Sequence, residues 1–305
     1  MTCLLANDRN DPNQTVNCFS IDVESFSESN VESFAIPASH LDPARQNREI
    51  EMNVDFILDF LAGHNLQATF FFLGRIARDL PRLVRRVAAE KHEIACHGWR
   101  HLRLYGLKPD VFAEQLRRAK GSLEDAGGQA VVGFRAPDFS ITRRSLWALD
   151  ALRDAGFLYD SSIYPFAGHD VYGIGQAPTH IYQLANGLIE WPLATMPMLN
   201  RRLPFGGGGY LRLYPARLTE LCFSRLNRRN QPCMFYIHPY EMGPVIEAIP
   251  GLSPVRRFRH YFRCGHLNRS LYRLLGRFRF ASAIATLRHM GYIRTASSPK
   301  ENAYV

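Results

Sequence analysis

Two pairs of polar residues in this sequence have the types and spacing that metal chemistry requires. His97 and His101 stand four residues apart, directly after a short apolar stretch. If the segment from His97 begins a helical turn, both imidazoles project from one face and can bind the same ion. Asp22 and Glu24 end a second apolar run, and strand alternation puts them on one face, with Val23 pointing away. Two histidines and one carboxylate leave coordination positions open for water and substrate, whereas a structural zinc site would fill all four.

Two further polar residues end apolar runs that predict strands. Arg135 ends a run that begins near residue 130, and His238 follows the run 234–237. Each has an ordinary structural explanation, since Arg135 could form a surface ion pair and His238 could be a hydrogen-bonded core histidine. Asp22, likewise, could cap a strand end. Polar residues at the carboxyl ends of several strands are, however, the arrangement from which parallel barrels build their active sites.

The elements that must position these residues alternate between strand and helix along the chain. Apolar residues recur at helical spacing over residues 50–61, before Gly63, and again over 112–123, before Gly127. The run 68–73 is apolar apart from Thr69, as in a strand that is buried on both faces of a parallel sheet. Strict alternation of this kind predicts an α/β fold, either a parallel barrel or a doubly wound sheet.

The composition limits the class of protein. The chain has 305 residues, 46% of them apolar, which is enough for one large domain or two small ones. No apolar run approaches the roughly 20 residues of a membrane-spanning helix. The first residues lack the hydrophobic region of a secretory signal, and the six cysteines form no C-x-x-C pair. We therefore expect a cytoplasmic protein with reduced thiols.

The net charge of +9 falls largely late in the sequence. The arginines concerned are Arg256, Arg257, Arg259, Arg263, Arg269, Arg273, Arg277 and Arg279. They form either a solvated helical face or a docking surface for an anionic polymer, a phospholipid surface or a partner protein. No recognised basic-aromatic module accompanies them, so we expect no nucleic-acid partner.

The strand-end segments, taken in order, resemble carbohydrate esterase family 4, the NodB-homology polysaccharide deacetylases, over about residues 16–241. They look most like the branch associated with exosortase and exopolysaccharide loci, whose members carry a basic, DUF3473-like C-terminal extension similar to residues 250–290. The segments that carry this resemblance are Asp22–Phe26, His97–His101, Arg135–Ser140, Tyr159–Pro165 and Gly206–Tyr210.

The resemblance implies a distorted (β/α)7-type, NodB-like barrel that removes N-acetyl groups from sugars with one divalent metal. Zinc is the metal expected first, with Co²⁺, Ni²⁺ or Fe²⁺ as alternatives. Carried over by position, the resemblance makes Asp22 the general base, Arg135 the residue that orients it, and His238 the general acid. The implied metal ligands are Glu24, His97 and His101. Many members have adjacent aspartates where this chain has Asp-x-Glu.

Several further residues are weaker candidates for the site. Asp160 and Glu190 compete as the acidic partner of His238, while Asp138 either lines the site or caps a turn. Aromatic side chains could stack on sugar rings or simply belong to the core, and these are Trp99, Tyr164, Trp191, Tyr210 and Tyr240. The glycine run 206–209 lacks the pattern of a phosphate-binding loop, so we interpret it as a turn at the rim of the site.

We expect four segments: a disordered N-terminus over 1–15, the barrel over 16–249, a basic helical extension packed on the barrel over 250–291, and a tail over 292–305. The expected activity is deacetylation of an N-acetylated exopolysaccharide, or of an oligosaccharide or other precursor of it. A peptidoglycan deacetylase, an allantoinase-like amidohydrolase and a non-catalytic polymer-binding component of an export system are the alternatives. The extension is expected to contact polysaccharide-synthesis or export proteins, or an anionic membrane surface, which would place the protein at the inner membrane.

Overall fold

The structure is a computed structural model that describes residues 15–37, 41–167, 171–198, 201–249 and 251–294. The predicted disordered N-terminus and the predicted tail lie almost entirely outside these residues. Strands within the described ranges are β1 (Val16–Val23), β2 (Thr69–Phe72), β3 (Glu93–Cys96), β4 (Gly133–Phe134), β5 (Tyr159–Asp160), β6 (Tyr182–Gln183), β7 (Ile189–Glu190), β8 (Thr195–Met198), β9 (Arg201–Pro204), β10 (Met234–Ile237) and β11 (Arg279–Ala281).

Helices lie between and after these strands in the sequence. They are α1 (Phe26–Phe34), α2 (Pro43–Gly63), α3 (Gly74–Asp79), α4 (Pro81–Ala89), α5 (Pro109–Gly127), α6 (Trp147–Asp154), α7 (Gly208–Leu213), α8 (Ala216–Asn227), α9 (Pro239–Met242), α10 (Pro254–Tyr261), α11 (Asn268–Leu275) and α12 (Ala283–His289). The predicted ends of α2 and α5 are confirmed, and Gly128 caps α5 with a φ of 64°. None of the helices in the described part of the chain has the length and apolar character to cross a membrane.

The main sheet has the strand order β10-β1-β2-β3-β4-β5-β7-β6, with β11 beside the first residues of β1. All its pairs are parallel except that of β6 with β7. The sheet curls back on itself, because Leu193 and Gly207 form isolated parallel bridges to Met234 and Tyr236 of β10. Apart from β11, which lies beside the start of β1, seven parallel strands therefore surround one interior, and the predicted distorted (β/α)7-type barrel is confirmed.

Strand alternation separates the two sides of this sheet. Phe19, Ile21 and Val23 of β1 face outward and pack in the cluster that includes the apolar faces of α2, α4 and α5. Phe71 and Ala95 face inward and fill the interior with other buried side chains. Every residue of β2 is buried, as its apolar sequence after Thr69 predicts. Inward-facing side chains near the carboxyl ends of the strands therefore meet at one mouth of the barrel.

The C-terminal extension is more than the helical appendage that we predicted. Its strand β11 pairs with β1, and the start of α12 bonds to Thr69 and Glu93, the first residues of β2 and β3, so α12 lies at the end of the barrel opposite the mouth. Ala283 and Leu287 pack in the interior cluster, and the Ile284 N–H donates to Glu93 Oε2 at 2.9 Å. A three-residue strand within an arginine-rich stretch carries no periodic signal, which explains why the sequence did not reveal it. The domain boundary at 249/250 stays a prediction and does not coincide with the edge of the sheet.

Candidate active site

Three ligand-type side chains meet at the mouth of the barrel. Glu24 Oε2 lies 3.5 Å from His97 Nε2 and 3.2 Å from His101 Nε2, and all three side chains are buried. Within the described residues, no hydrogen-bond donor of suitable geometry reaches this carboxylate oxygen. This carboxylate oxygen is buried, accepts no hydrogen bond from the described part of the chain and faces two imidazole nitrogens. One carboxylate oxygen and two imidazole nitrogens form a ligand set that binds a divalent metal ion. The residues present therefore fit the metal that the sequence implies.

The two histidines do not stand on a helix, so that prediction was wrong. The His97 N–H donates to Phe72 O at 2.8 Å, which continues the sheet, and Gly98 then turns the chain with a φ of 86°. His97 Nδ1 lies 2.8 Å from Arg135 O, a bond that fixes the ring and directs Nε2 toward Glu24. A tight turn at Gly98 therefore brings the two imidazoles together, as we had expected a helical turn to do.

Charge within this group alters the acidity of its members. Burial alone would raise the pKa of Glu24, but His101, His97 and His238 around it lower that pKa to about 2. Burial would lower the pKa of His101, and the Glu24 carboxylate raises it above its ordinary value. Glu24 is therefore an anion at neutral pH, as a metal ligand must be.

Asp22 and Arg135 form an ion pair beside the three ligands. Arg135 Nη1 donates to Asp22 Oδ1 at 2.5 Å and to Ser20 Oγ at 3.0 Å. The guanidinium is fully buried, lies 4.1 Å above the Phe71 ring and also donates to Ser161 O. This planar group has few alternative positions, so it fixes the direction of the Asp22 carboxylate.

His238 lies next to the second carboxylate oxygen of Glu24 and lines an open cleft. Its Nε2 is 3.3 Å from Glu24 Oε1, and its Nδ1 is 3.3 Å from Glu241 Oε2. The Tyr240 ring stacks on the imidazole at 5.0 Å. Burial would lower the pKa of His238, but the bond and charge of Glu241, followed by the charge of Glu24, raise it to about 9. The imidazole is therefore a proton donor at neutral pH.

The acidic partner that we predicted for His238 was wrong. Asp160 and Glu190 lie next to each other on β5 and β7, and the residues before them, Tyr159 and Ile189, point into the barrel. Alternation therefore sends both carboxyls to the outer face of the sheet, away from His238. There Glu190 Oε1 accepts from the Ile163 N–H at 3.0 Å.

The Asp160–Glu190 pair predicts a dependence of stability on pH. Burial raises the pKa of both carboxyls, that of Asp160 to about 6. A raised pKa means that the folded state binds more protons than the unfolded state, so stability is lost as the pH rises through the folded pKa values. Glu190→Gln supplies a donor to Asp160 without a shared proton, so we expect it to raise the free energy of unfolding by about 1 to 3 kcal/mol at pH 8. Urea unfolding at pH 5 and pH 8 measures this, and an equal effect at both values would contradict it.

The actual partner, Glu241, carried a signal that we missed. His238 is the N-cap residue of α9, Pro239 follows it, and Glu241 is three residues further on. Glu241 Oε2 also accepts from the His238 backbone N–H at 3.0 Å, which completes a capping box. The His-Pro-x-Glu sequence thus indicates both a helix start and a carboxylate within reach of the imidazole.

The cleft at the mouth has a volume of about 430 Å³, which suits a sugar unit. Tyr210 and Tyr240 line it, as predicted, and so does Asp138, which accepts from Arg103 Nε at 2.7 Å. Val255, Arg256 and His260 of the extension also line it. Three of the predicted stacking residues are instead buried core, namely Trp99, Tyr164 and Trp191. Trp191 belongs to the interior cluster, so it presents no face to the cleft.

The glycine run 206–209 brings the start of α7 close to Glu241, the partner of His238. A Cβ at Gly208 would collide with the carboxylate of Glu241, whereas one at Gly209 would have only ordinary contacts at 3.8 and 3.9 Å. Gly208 is therefore required for the close approach of this backbone to Glu241.

Two family models match the chain. A model described as polysaccharide deacetylase matches residues 43–158, and a model described as a domain of unknown function, DUF3473, matches residues 161–288. His97, His101 and Arg135 fall in the first match, and His238 and Glu241 fall in the second. Asp22 and Glu24 precede both matches, so the side chains of the site come from both matched segments and from the strand before them.

Curated relatives match over about a third of this chain. A peptidoglycan-N-acetylglucosamine deacetylase of Bacillus cereus is 36% identical over 95 residues, 31% of this chain and 34% of the relative. A chitooligosaccharide deacetylase of Rhizobium leguminosarum bv. trifolii is 36% identical over 96 residues, 32% of this chain and 42% of the relative. The matched part thus spans well under half the length of these relatives.

Solved structures share the fold over nearly the whole chain. A Mycobacterium smegmatis protein assigned as a polysaccharide deacetylase superposes with a TM-score of 0.65 at 22% identity, covering 95% of this chain and 96% of that one. The allantoinase Puue superposes with a TM-score of 0.61 at 16% identity, covering 93% of each chain. At these identities the likeness establishes the NodB-like fold and leaves the substrate open.

Proposed function

We propose that this chain is a metal-dependent hydrolase. The proposal is based on its two segments, one that matches a polysaccharide deacetylase model and one that matches a DUF3473 model. In this proposal it removes N-acetyl groups from sugar residues of an exopolysaccharide or its precursor and releases acetate. The observation that supports it best is the order of groups at the mouth of the barrel. The mouth holds a three-residue metal-type site, an aspartate that is paired with an arginine, and a histidine that contacts both a metal-type ligand and a second glutamate.

These groups match the needs of amide hydrolysis, in which water adds to the carbonyl carbon, the C–N bond breaks, and acetate and an amine are formed. Glu24, His97 and His101 would hold a divalent metal, which would supply the Lewis acidity that polarises a carbonyl and makes water a stronger nucleophile. The Asp22 carboxylate accepts the proton of the attacking water. The His238 imidazolium donates a proton to the departing amine, which is a poor leaving group without it.

Acetate release from purified, zinc-loaded protein tests this proposal. The substrates are a series of N-acetylglucosamine oligomers, peptidoglycan and allantoin. We expect acetate from the oligomers, loss of the activity with a chelator, and its return with zinc. Hydrolysis of allantoin without acetate release would instead support an allantoinase-like enzyme. Polymer binding without hydrolysis, unchanged in His97→Ala, would support a non-catalytic role.

The extension supports a proposal for the partner and the compartment. Arg273 and Arg277 pair with Glu220 of α8 at 3.2 and 2.9 Å, so part of the positive charge holds the extension to the barrel. Arg256, Arg257 and Arg263 remain exposed. We propose that this charge holds the protein at an anionic cytoplasmic surface of the inner membrane. Recovery of all the protein in the soluble fraction at low salt would contradict this.

A further inference from the structure

The candidate general acid is held by a chain of contacts that continues beyond Glu241. Glu241 Oε2 bonds to His238 Nδ1, and Glu241 Oε1 accepts a hydrogen bond from Arg212 Nε at 3.0 Å. Both side chains of this second pair are buried. Burial would raise the pKa of Glu241, but Arg212 and then His238 lower it to about 2. The carboxylate is therefore a fixed anion with one oxygen directed to each partner.

Arg212 is held in turn by the C-terminal extension. Its Nη1 donates to Phe262 O at 2.6 Å and to His260 O at 3.3 Å. These carbonyls lie at the C-terminal end of α10, where helix carbonyls lack intrahelical partners and favour a cation. The guanidinium thus bridges the Glu241 carboxylate and the end of α10.

The same part of the extension makes a second attachment. The Gly265 N–H donates to the backbone carbonyl of Glu241 at 2.8 Å. Tyr261, at the end of α10, is anchored to the barrel because its ring lies 4.7 Å from that of Phe26 and its hydroxyl donates to Glu247 O at 2.8 Å. The backbone over 260–265 therefore contacts Glu241 in two ways, through Arg212 to its side chain and through Gly265 to its backbone carbonyl.

We propose that the extension positions the general acid: the carbonyls at the end of α10 hold Arg212, Arg212 holds Glu241, and Glu241 orients the imidazole of His238. The inference rests on the proposed function, since a general acid has meaning only in that reaction. It makes residues 260–265 of the DUF3473 segment a supporting part of the active site. A buried ion pair contributes little net stability, so a role in fixing a nearby side chain explains its presence better than folding does.

Two variants displace Glu241 in different ways. Arg212→Gln removes the guanidinium that holds it, and Gly208→Ala puts a methyl group where its carboxylate now lies. The displaced group is the end of a side chain, so the barrel itself can remain intact. Gly209→Ala is the matched control, because its methyl group has only ordinary contacts and should leave Glu241 in place.

The measurement compares an amide substrate with an ester whose leaving group needs no proton. We expect Arg212→Gln and Gly208→Ala to lower kcat on an N-acetylglucosamine oligomer by about tenfold to a hundredfold, with KM and zinc content unchanged. Hydrolysis of p-nitrophenyl acetate should stay within about twofold of wild type. Equal losses on amide and ester, or a rise in KM alone, would overturn the positioning role.

A second readout does not depend on turnover. In ¹⁵N-histidine spectra of the zinc-loaded protein, the His238 resonances should shift in both variants and not in Gly209→Ala. Unchanged His238 resonances in Arg212→Gln would overturn the inference. An inactive wild type in which these shifts occur would instead contradict the proposed function and leave the positioning contacts established.

The contribution of the extension itself is tested with two of its own glycines. Gly265 and Gly251 have φ values of 73° and 77°, so alanine is similarly strained at both. Only Gly265 lies at the attachment to Glu241. Gly265→Ala should therefore lower the amide-to-ester rate ratio and shift His238, whereas Gly251→Ala should do neither. The same response from both variants would contradict a specific role for residues 260–265.

Discussion

Asp22→Asn is expected to lower the rate of acetate release by about a hundredfold to ten-thousandfold, while the purified protein retains its metal. Asparagine keeps the size of the side chain but cannot accept a proton from the attacking water, and general bases contribute this range of rate. Asp22 is not among the three clustered ligands, so metal content should be unaffected. Acetate assays and metal analysis of the same preparation measure both quantities.

The control for this variant is Ser20→Ala. Ser20 Oγ accepts from the same Arg135 nitrogen as Asp22 does, so its loss loosens the arginine and leaves the carboxylate in place. Its rate should stay within about tenfold of wild type. Because Asp22→Asn leaves a buried arginine without its counter-ion, the assay must be run well below the melting temperature of the variant. Loss of metal in proportion to loss of activity would contradict the role of Asp22 as the base.

Glu24→Gln is expected to weaken zinc binding by about a hundredfold or more and to abolish acetate release at limiting zinc. The variant replaces the anionic oxygen that faces both imidazoles with a neutral amide. Even residues that only support metal ligands change affinity by about tenfold to a hundredfold, so a direct ligand should exceed this. Competition with a chromophoric chelator measures the dissociation constant.

Glu32→Gln provides the matched control, because Glu32 is a partly exposed carboxylate on α1 that pairs with Arg103 at 3.3 Å. It should bind zinc as wild type does. If Glu24→Gln also bound zinc as wild type does, Glu24 would not be a metal ligand.

The strand-helix order was predictable because long apolar patterns determine it. β2 and the apolar stripes of α2 and α5 gave unambiguous signals, and all three elements formed where we expected them. β11 and its pairing with β1 could not be predicted, because three residues carry no usable periodicity. Its place in the sheet depends on contacts with a strand more than 250 positions earlier in the sequence.

The sequence allowed us to predict the site residues that follow strand ends, but not all of the residues that bond to them. Asp22, Arg135 and His238 converge because they end parallel strands of one barrel. Asp160 and Glu190 also lie on strands, but a difference of one position in the alternation turned both outward. Arg212, by contrast, is linked to His238 only through the fold, and no spacing in the sequence indicates that connection.

Diffraction from crystals grown with zinc, recorded on both sides of the zinc absorption edge, is the most direct test of the central claim. The account predicts one anomalous peak bonded to His97 Nε2, His101 Nε2 and a Glu24 oxygen, with Asp22 and His238 on opposite sides of it. No peak among these three side chains at saturating zinc, or a peak bound elsewhere in the protein, would contradict it.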